Sequence, residues 1–395
     1  MTSRRELLRY GMGMLALPAL RALAYPLGEG GQGRLVVIFL RGGMDGLFAF
    51  SPVDDPRLAE MRPTLSKTVL EQGIRLGSTG FAAHPSCRDM AALFAAGELA
   101  FAPCAGTTDS SRSHFQAQDL FEIGSGGSHG DTGFMARSAA VLGGRAGAIS
   151  FTREVPLSFH GADSTVEVAP LSGSALKLPQ GRMLEAIRLA HQGQRTGEAL
   201  DQALATQTEI EAAMNEPMTG MEPGASRGAD PAGGFARQAQ QMGRMLRANP
   251  RLSLAFLDLG GWDTHAGQEG ILTRALDPLG AGLVALKDAL GSAEWRRTRI
   301  VVMSEFGRTV RENGTRGTDH GHGGLALLAG GAIRGGRMLG DFRGLDERDL
   351  NQNRDLPVLT DWRMLLAACL RESYGLDERA LAGIFPGMPK GRLDV

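Results

Sequence analysis

Asp319, His320 and His322 fall within four consecutive residues of the stretch GTDHGHGG (317–324). Histidine is scarce, eight in 395 residues, so two of them one residue apart single out this loop. Three other segments carry similar side chains beside glycine: RGGMDG with Arg41 and Asp45, GGWDTH with Asp263 and His265, and SEFGR with Glu305 and Arg308. Carboxylate oxygens and imidazole nitrogens are donors for a divalent cation, and a mixed Asp/Glu/His shell suits zinc, manganese or iron more than calcium. Candidate ligands are therefore Asp45, Asp263, His265, Glu305, Asp319, His320 and His322. The glycines let backbone approach closely with positive φ, so that successive polar residues can point inward. Each motif alone reads as a solvated loop or a cap, because Asp and His favour loops. It is the recurrence at four places that argues for a metal.

A second group lies in GTTDSSRSHFQAQDLFEIG, where Ser110, Ser111 or Ser113 precedes a helical pattern. A helix start offers free N–H groups and a positive dipole end, favourable for an anion or a developing alkoxide. Serine is also a favoured N-cap, and on this feature alone capping wins. Metal ligands facing it would make a nucleophile, because a nearby cation lowers the hydroxyl pKa. Ser113, beside His114, is the first choice.

These residues require elements that deliver them to one place. GRLVVIFLRGG, RLSLAFLDLGG and RTRIVVMSEFG contain apolar, β-branched runs of the kind buried on both faces of a parallel sheet, with ELAFAPCAG and LALLAGGAI as weaker examples. Helical patterns lie between them, as in HPSCRDMAALFAAGE and ILTRALDPLGAGLVALKDALGS. Strands alternating with helices predict an α/β fold with a largely parallel central sheet covered on both sides. In such sheets ligands sit beyond the carboxyl ends of the strands, where the polar clusters fall. Residues 182–234 differ: an Ala/Gln/Glu-rich helical stretch leads into a Gly/Pro/Ser loop, read as an insertion on an α/β domain spanning 33–395.

Composition narrows the function classes. Lys and Arg number 42 against 43 Asp and Glu, so no global field attracts nucleic acid or anionic lipid. Cys87, Cys104 and Cys369 form no CxxC pair, and Cys104 and Cys369 lie in apolar segments that suit buried thiols. At the N-terminus Arg4 and Arg5 precede a modest apolar stretch ending in Ala22-Leu23-Ala24, a pattern that predicts a twin-arginine signal over residues 1–24. The expected partner is the twin-arginine export machinery and the expected location periplasmic or extracellular. Pro18 and Arg21 interrupt the stretch, which is too short for a spanning helix, and no later segment qualifies.

The order of these motifs resembles the alkaline phosphatase and sulfatase superfamily. FLRGGMDGL, RSHFQAQD, GGWDTH, SEFGRT and TDHGHGG are more closely similar to one branch of it, exported proteins with a twin-arginine signal (domain of unknown function family 1501). The resemblance covers nearly the whole chain after the signal and implies an alkaline-phosphatase-like three-layer sandwich. It implies a hydrolase acting on a small anionic phosphate or sulfate ester, with Ser113 as nucleophile. Asp45 and Glu305 would share a metal beside Ser113, and Asp263, His265 and His320 or His322 would take a second. Arg41, Arg112 or Arg308 would hold the ester's outer oxygens, or serve as structural partners of the carboxylates. Where the superfamily has Asp-His this chain has Glu305-Phe306, and Asp263 and His265 stand closer together than is usual. One zinc or manganese ion instead of two, or a site that no longer turns over, follows from those departures. His84 and Asp319 are replacement donors, although His84 in AAHPS also suits a core or capping role. The alternative class is a non-catalytic binding or assembly protein keeping the fold and a degenerate metal site.

Overall fold

The computed structural model describes residues 33–107, 109, 111–127, 130–143, 146–152, 155–161, 166–168 and 234–395. The expected twin-arginine signal at 1–24, Ser110 and residues 182–233 of the expected insertion lie outside the described residues.

Eight strands form the central sheet. In chain order they are β1 (Arg34–Leu40), β2 (Leu99–Gly106), β3 (Gly147–Ser150), β4 (Val166–Val168), β5 (Leu252–Leu259), β6 (Thr298–Ser304), β7 (Gly324–Ala329) and β8 (Thr360–Asp361). Across the sheet the order is β8-β2-β7-β6-β1-β5-β3-β4. The apolar runs behave as their composition predicts, since every residue of β1, β2 and β6 is buried. β1 pairs parallel with both β5 and β6. β7 is the departure from an all-parallel sheet, running antiparallel to β2 and β6. A parallel return needs a crossover, commonly a helix, whereas the described chain between β6 and β7 contains no helix and turns back directly.

That reversal matters for the site. Because β7 runs backwards, the loop entering it emerges at the same rim as the carboxyl ends of β1, β2, β5 and β6; Gly324 at the start of β7 stands opposite Ala105 near the end of β2. GTDHGHGG is thus delivered to the strand-end rim by a strand's beginning.

Helices cover both faces. On one side α1 (Arg88–Ala95), α4 (Phe235–Ala248) and α5 (Gln268–Trp295) pack Phe94, Met242 and Leu283 against Val36, Ile38 and Leu40. On the other, α2 (His114–Ile123), α3 (Phe134–Leu142) and α6 (Trp362–Tyr374) pack Phe121, Phe134 and Trp362 against Leu35, Val37 and Phe39. Alternation of β1 side chains between the two clusters reflects the two-residue period of a strand. All three cysteines are buried and free. No helix among the described residues is long and apolar enough to cross a membrane.

Candidate metal centre

Four side chains converge at the rim. His114 enters from the first residue of α2, Asp263 and His265 from the loop after β5, and His320 from the loop before β7. His114 Nε2 lies 3.5 Å from Asp263 Oδ2, His265 Nε2 lies 3.0 Å from Asp263 Oδ1, and His320 Nε2 lies 3.4 Å from the same oxygen. His265 Nε2 and His320 Nε2 stand 3.0 Å apart. Ligands on a tetrahedral zinc with bonds of about 2.0–2.1 Å are separated by about 3.3 Å. The donor atoms of His114, Asp263 and His320 are spaced as ligands of one ion and form a group with metal-site geometry; His265 stands beside Asp263 and His320 but outside that group.

What surrounds each ring fixes which nitrogen faces inward. His320 Nδ1 donates to the carbonyl of Arg112 at 2.8 Å; a carbonyl only accepts, so Nδ1 carries the proton and Nε2 presents a lone pair. His114 Nδ1 donates to Glu305 Oε1 at 2.8 Å, leaving Nε2 buried with no hydrogen-bond partner among the described residues. His265 Nδ1 lies 3.4 Å from Asp319 Oδ1. Each outer nitrogen is thus matched with an oxygen, the arrangement that orients metal-ligating imidazoles. Lone pairs crowded at such distances repel unless a cation or proton lies between them.

Charge is balanced around the cluster by buried groups. Glu305 accepts from the amides of Gly42 and Gly43, from Gln118 Nε2 and from Ser304 Oγ, besides His114. Burial would push its carboxyl up, but the hydrogen bonds from His114, Gln118 and the backbone outweigh this and hold it below the usual range. The same bond raises the His114 imidazole against the opposing effect of burial. His320 moves the other way, lowered chiefly by burial. The glycine pair is required here: a Cβ on Gly42 would sit 2.5 Å from the Asp263 amide nitrogen, and one on Gly43 would meet the Phe306 ring at 2.5 Å. Both have positive φ, 127° and 63°.

The other sequence candidates are placed differently. Asp45 does not join the cluster. Its two oxygens accept from Arg62 Nη1 at 2.6 Å and Nη2 at 3.1 Å, and Gln268 Nε2 donates to it as well. A guanidinium already supplies the positive charge expected from a metal. Glu305 is brought to the cluster behind His114, not beside the converging nitrogens. Asp319 stands behind His265 in the same way. His322 Nε2 is tied to the Thr107 carbonyl at 2.7 Å and is not among the grouped ligands. His84 caps the turn Pro85–Cys87 by accepting from the Ser86 amide, and its ring stacks on Phe48.

Arg308 is buried and grips Asp263 Oδ1 at 2.6 Å while also donating to the carbonyls of Gly42, Gly43 and Thr318. Arg41 spends its nitrogens on Asp258, Gln118 and Glu122. Ser113 is the N-cap of α2, with an exposed side chain that makes no cap bond. Ser111 bonds Gln116. The sequence reading gave His114 a catalytic role beside Ser113 and did not group it with Asp263 and His320, where the structure brings it. The available signal was the four-residue spacing of His114 and Gln118, which puts both on one helix face, and both reach Glu305.

The sequence model of a family described as "Protein of unknown function (DUF1501)" matches residues 32–385. The chain belongs to this family. A search of curated protein sequences gave no match. Among solved structures, the chain is similar to Ps i-CgsB in complex with k-i-k-neocarrahexaose, with 11% identity and a TM-score of 0.40 over 88% of this chain and 74% of that one. It is also similar to a protein in the alkaline phosphatase superfamily from Vibrio parahaemolyticus, with 10% identity and a TM-score of 0.36 over 83% and 71%.

Proposed function

We propose that this DUF1501 member is an exported, metal-dependent hydrolase of phosphate or sulfate esters, built around one zinc ion held by His114, Asp263 and His320, with the fourth position open to substrate. The observation that carries the metal is the unpartnered, buried Nε2 of His114, aimed at Asp263 while its Nδ1 is anchored on Glu305. Two imidazoles and one carboxylate suit a zinc ion with one open position, with manganese the next choice. When bound, such a cation would polarise an ester oxygen and lower the pKa of an attacking hydroxyl.

The chain's own residues set up the rest. Arg308 fixes the Asp263 carboxylate, and it holds that carboxyl below its usual range against the upward push of burial. Glu305 and the Arg112 carbonyl hold the protons of His114 and His320 on the outer nitrogens. Ser113, exposed and one residue from His114, is the hydroxyl this reading assigns as nucleophile. A second reading, a non-catalytic exported binding or assembly protein, is favoured by one observation: Asp45 is neutralised by Arg62 and is not free to organise a second metal beside the serine.

Zinc titration followed by assay on aryl phosphate and aryl sulfate separates the two. The hydrolase reading expects one zinc per chain and activity lost in Ser113→Ala and Asp263→Ala. Zinc that raises the melting temperature without any turnover supports the scaffold. Export is tested apart from this, by fractionating cells carrying the wild type or Arg4→Lys/Arg5→Lys; retention of the double variant in the cytoplasm is the expected result.

A further inference from the structure

Beyond the carboxyl ends of β1, β5 and β3 the rim opens into a crevice of about 480 Å³. Its charged lining is Arg41, Glu122 and Asp258, and Phe151, Val155 and Leu257 belong to its apolar lining. None of His114, Asp263, Glu305 or His320 lines it. Arg41 and Gln118 link the two places, Arg41 Nη1 donating to Gln118 Oε1 and Gln118 Nε2 donating to Glu305 Oε1. The crevice is therefore a neighbour of the metal centre and no part of it.

Its charged lining is held rigidly. Glu122 is buried and accepts from Arg41 Nη2 at 2.8 Å and from the Ser158 amide at 3.0 Å. Arg41 Nε donates to Asp258 Oδ2 at 2.6 Å, and the guanidinium carbon lies 4.9 Å from the centre of the Phe39 ring, which stacks on Phe121. One oxygen is left over: the Asp258 side chain is 30% exposed, and its Oδ1 has no partner among the described residues. One guanidinium against two carboxylates gives the lining one net negative charge, which repels phosphate and sulfate and attracts a cation. A hard divalent metal takes six or more oxygen ligands, far more than Asp258 Oδ1 supplies. An ammonium group is satisfied by one carboxylate and neutral oxygen acceptors, and the Gln238 amide lines the same crevice. Val155 is 42% exposed, so an apolar body laid against it removes aliphatic surface from water.

We propose that this crevice is a second ligand site, for a small organic ammonium ion with an apolar body, its charge on Asp258 and its body against Val155 and Phe151. The site goes beyond the hydrolase reading and stands without it, because no residue of its lining belongs to the metal group. Arg41 serves it as a fixed brace between two carboxylates, which keeps the Asp258 carboxylate in place before any ligand arrives.

The test is calorimetric titration of the full chain at neutral pH with phenethylamine and, in parallel, with its uncharged counterpart 2-phenylethanol and the anion 3-phenylpropionate, before and after zinc loading. The wild type is expected to bind the ammonium about tenfold or more tightly than the alcohol, with the carboxylate weakest, and to bind the amine equally well with and without zinc. Asp258→Asn, which keeps an oxygen for Arg41 Nε and removes the charge, is expected to erase the preference for the ammonium. Val155→Lys places a cation on an exposed side chain of the lining; it should erase the preference too, and it decides the question if Asp258→Asn does not fold. No preference for the ammonium in the wild type, or a preference that survives in either folded variant, overturns the proposal. Amine binding that appears only after zinc loading places the amine on the metal and overturns it as well.

Discussion

Asp45 and Asp263 follow neighbouring parallel strands, β1 and β5, and reach the same rim of the sheet, yet they end in different surroundings. Asp45 is 1% exposed and both its oxygens are occupied by Arg62. The Asp263 side chain is 46% exposed, gives one oxygen to Arg308, and faces three imidazoles whose inward nitrogens lie within 3.5 Å of it. Each carboxylate is held by a buried arginine, but Asp45 is closed on both oxygens, whereas Asp263 keeps Oδ2 clear of the guanidinium and stands among nitrogen donors. Residue type and strand-end position were the same, and the side chains arriving from elsewhere in the chain decided between a closed ion pair and a carboxylate open to the imidazoles.

The contrast can be broken most forcefully at Asp45. Asp45→Ala leaves the Arg62 guanidinium buried without its partner, and removing one member of a buried pair costs about 3–5 kcal/mol. A large drop in the urea midpoint is expected; chain that stays folded should still bind one zinc, and loss of zinc without loss of stability would show that Asp45 is a ligand after all.

Asp263→Ala should lose the zinc instead. Zinc at 1,000 times its dissociation constant stabilises a native chain by about 4 kcal/mol, and that gain should vanish in the variant, whose metal-free melting temperature also falls because buried Arg308 loses its carboxylate partner. A metal-dependent rise in melting temperature that survives Asp263→Ala contradicts the assignment.

Glu305 sharpens the comparison by asking whether a carboxylate behind a ligand matters as much as one beside it. Glu305→Gln removes the charge of the acceptor that anchors His114 Nδ1 and sets an NH2 among the N–H groups it served, and zinc affinity should fall about 10–100-fold, as when other outer partners of metal-bound histidines are lost. The smallest effect concerns pH. Zinc needs the neutral imidazole, and the Glu305 bond raises His114 above its ordinary value, so protons compete with the metal to a higher pH than for a free imidazole. Affinity should be full above the His114 pKa and decline as pH falls through it, by at most about tenfold per unit for one displaced proton. In Glu305→Gln that decline should begin at lower pH; an unshifted profile would mean His114 is not the group protonated.

Much of the scaffold was legible because buried parallel strands are written as unbroken apolar runs. β1, β5 and β6 each followed from such a run, and the clusters after them from the glycine and Asp/His content of the turns. The direction of β7 was not legible, since LALLAGGAI is equally apolar whichever way it runs; only the lack of a helix between β6 and β7 hinted at reversal. Local sequence also hid the partners. Arg62, in EMRPTL, looks like any surface arginine, and nothing there announces that it will cross to Asp45. His114 and Glu305 are 191 residues apart, and their hydrogen bond depends on how α2 seats over the β6 end, which spacing along the chain does not encode.

X-ray absorption at the zinc edge, on chain loaded to saturation, reads the metal centre without intermediaries. One zinc per chain, bound by two imidazole nitrogens, one carboxylate oxygen and a solvent oxygen at about 2.0–2.2 Å, is the predicted result, with the imidazole signal reduced by half in His114→Ala. A spectrum with no imidazole scattering, or one unchanged in His114→Ala, would contradict it.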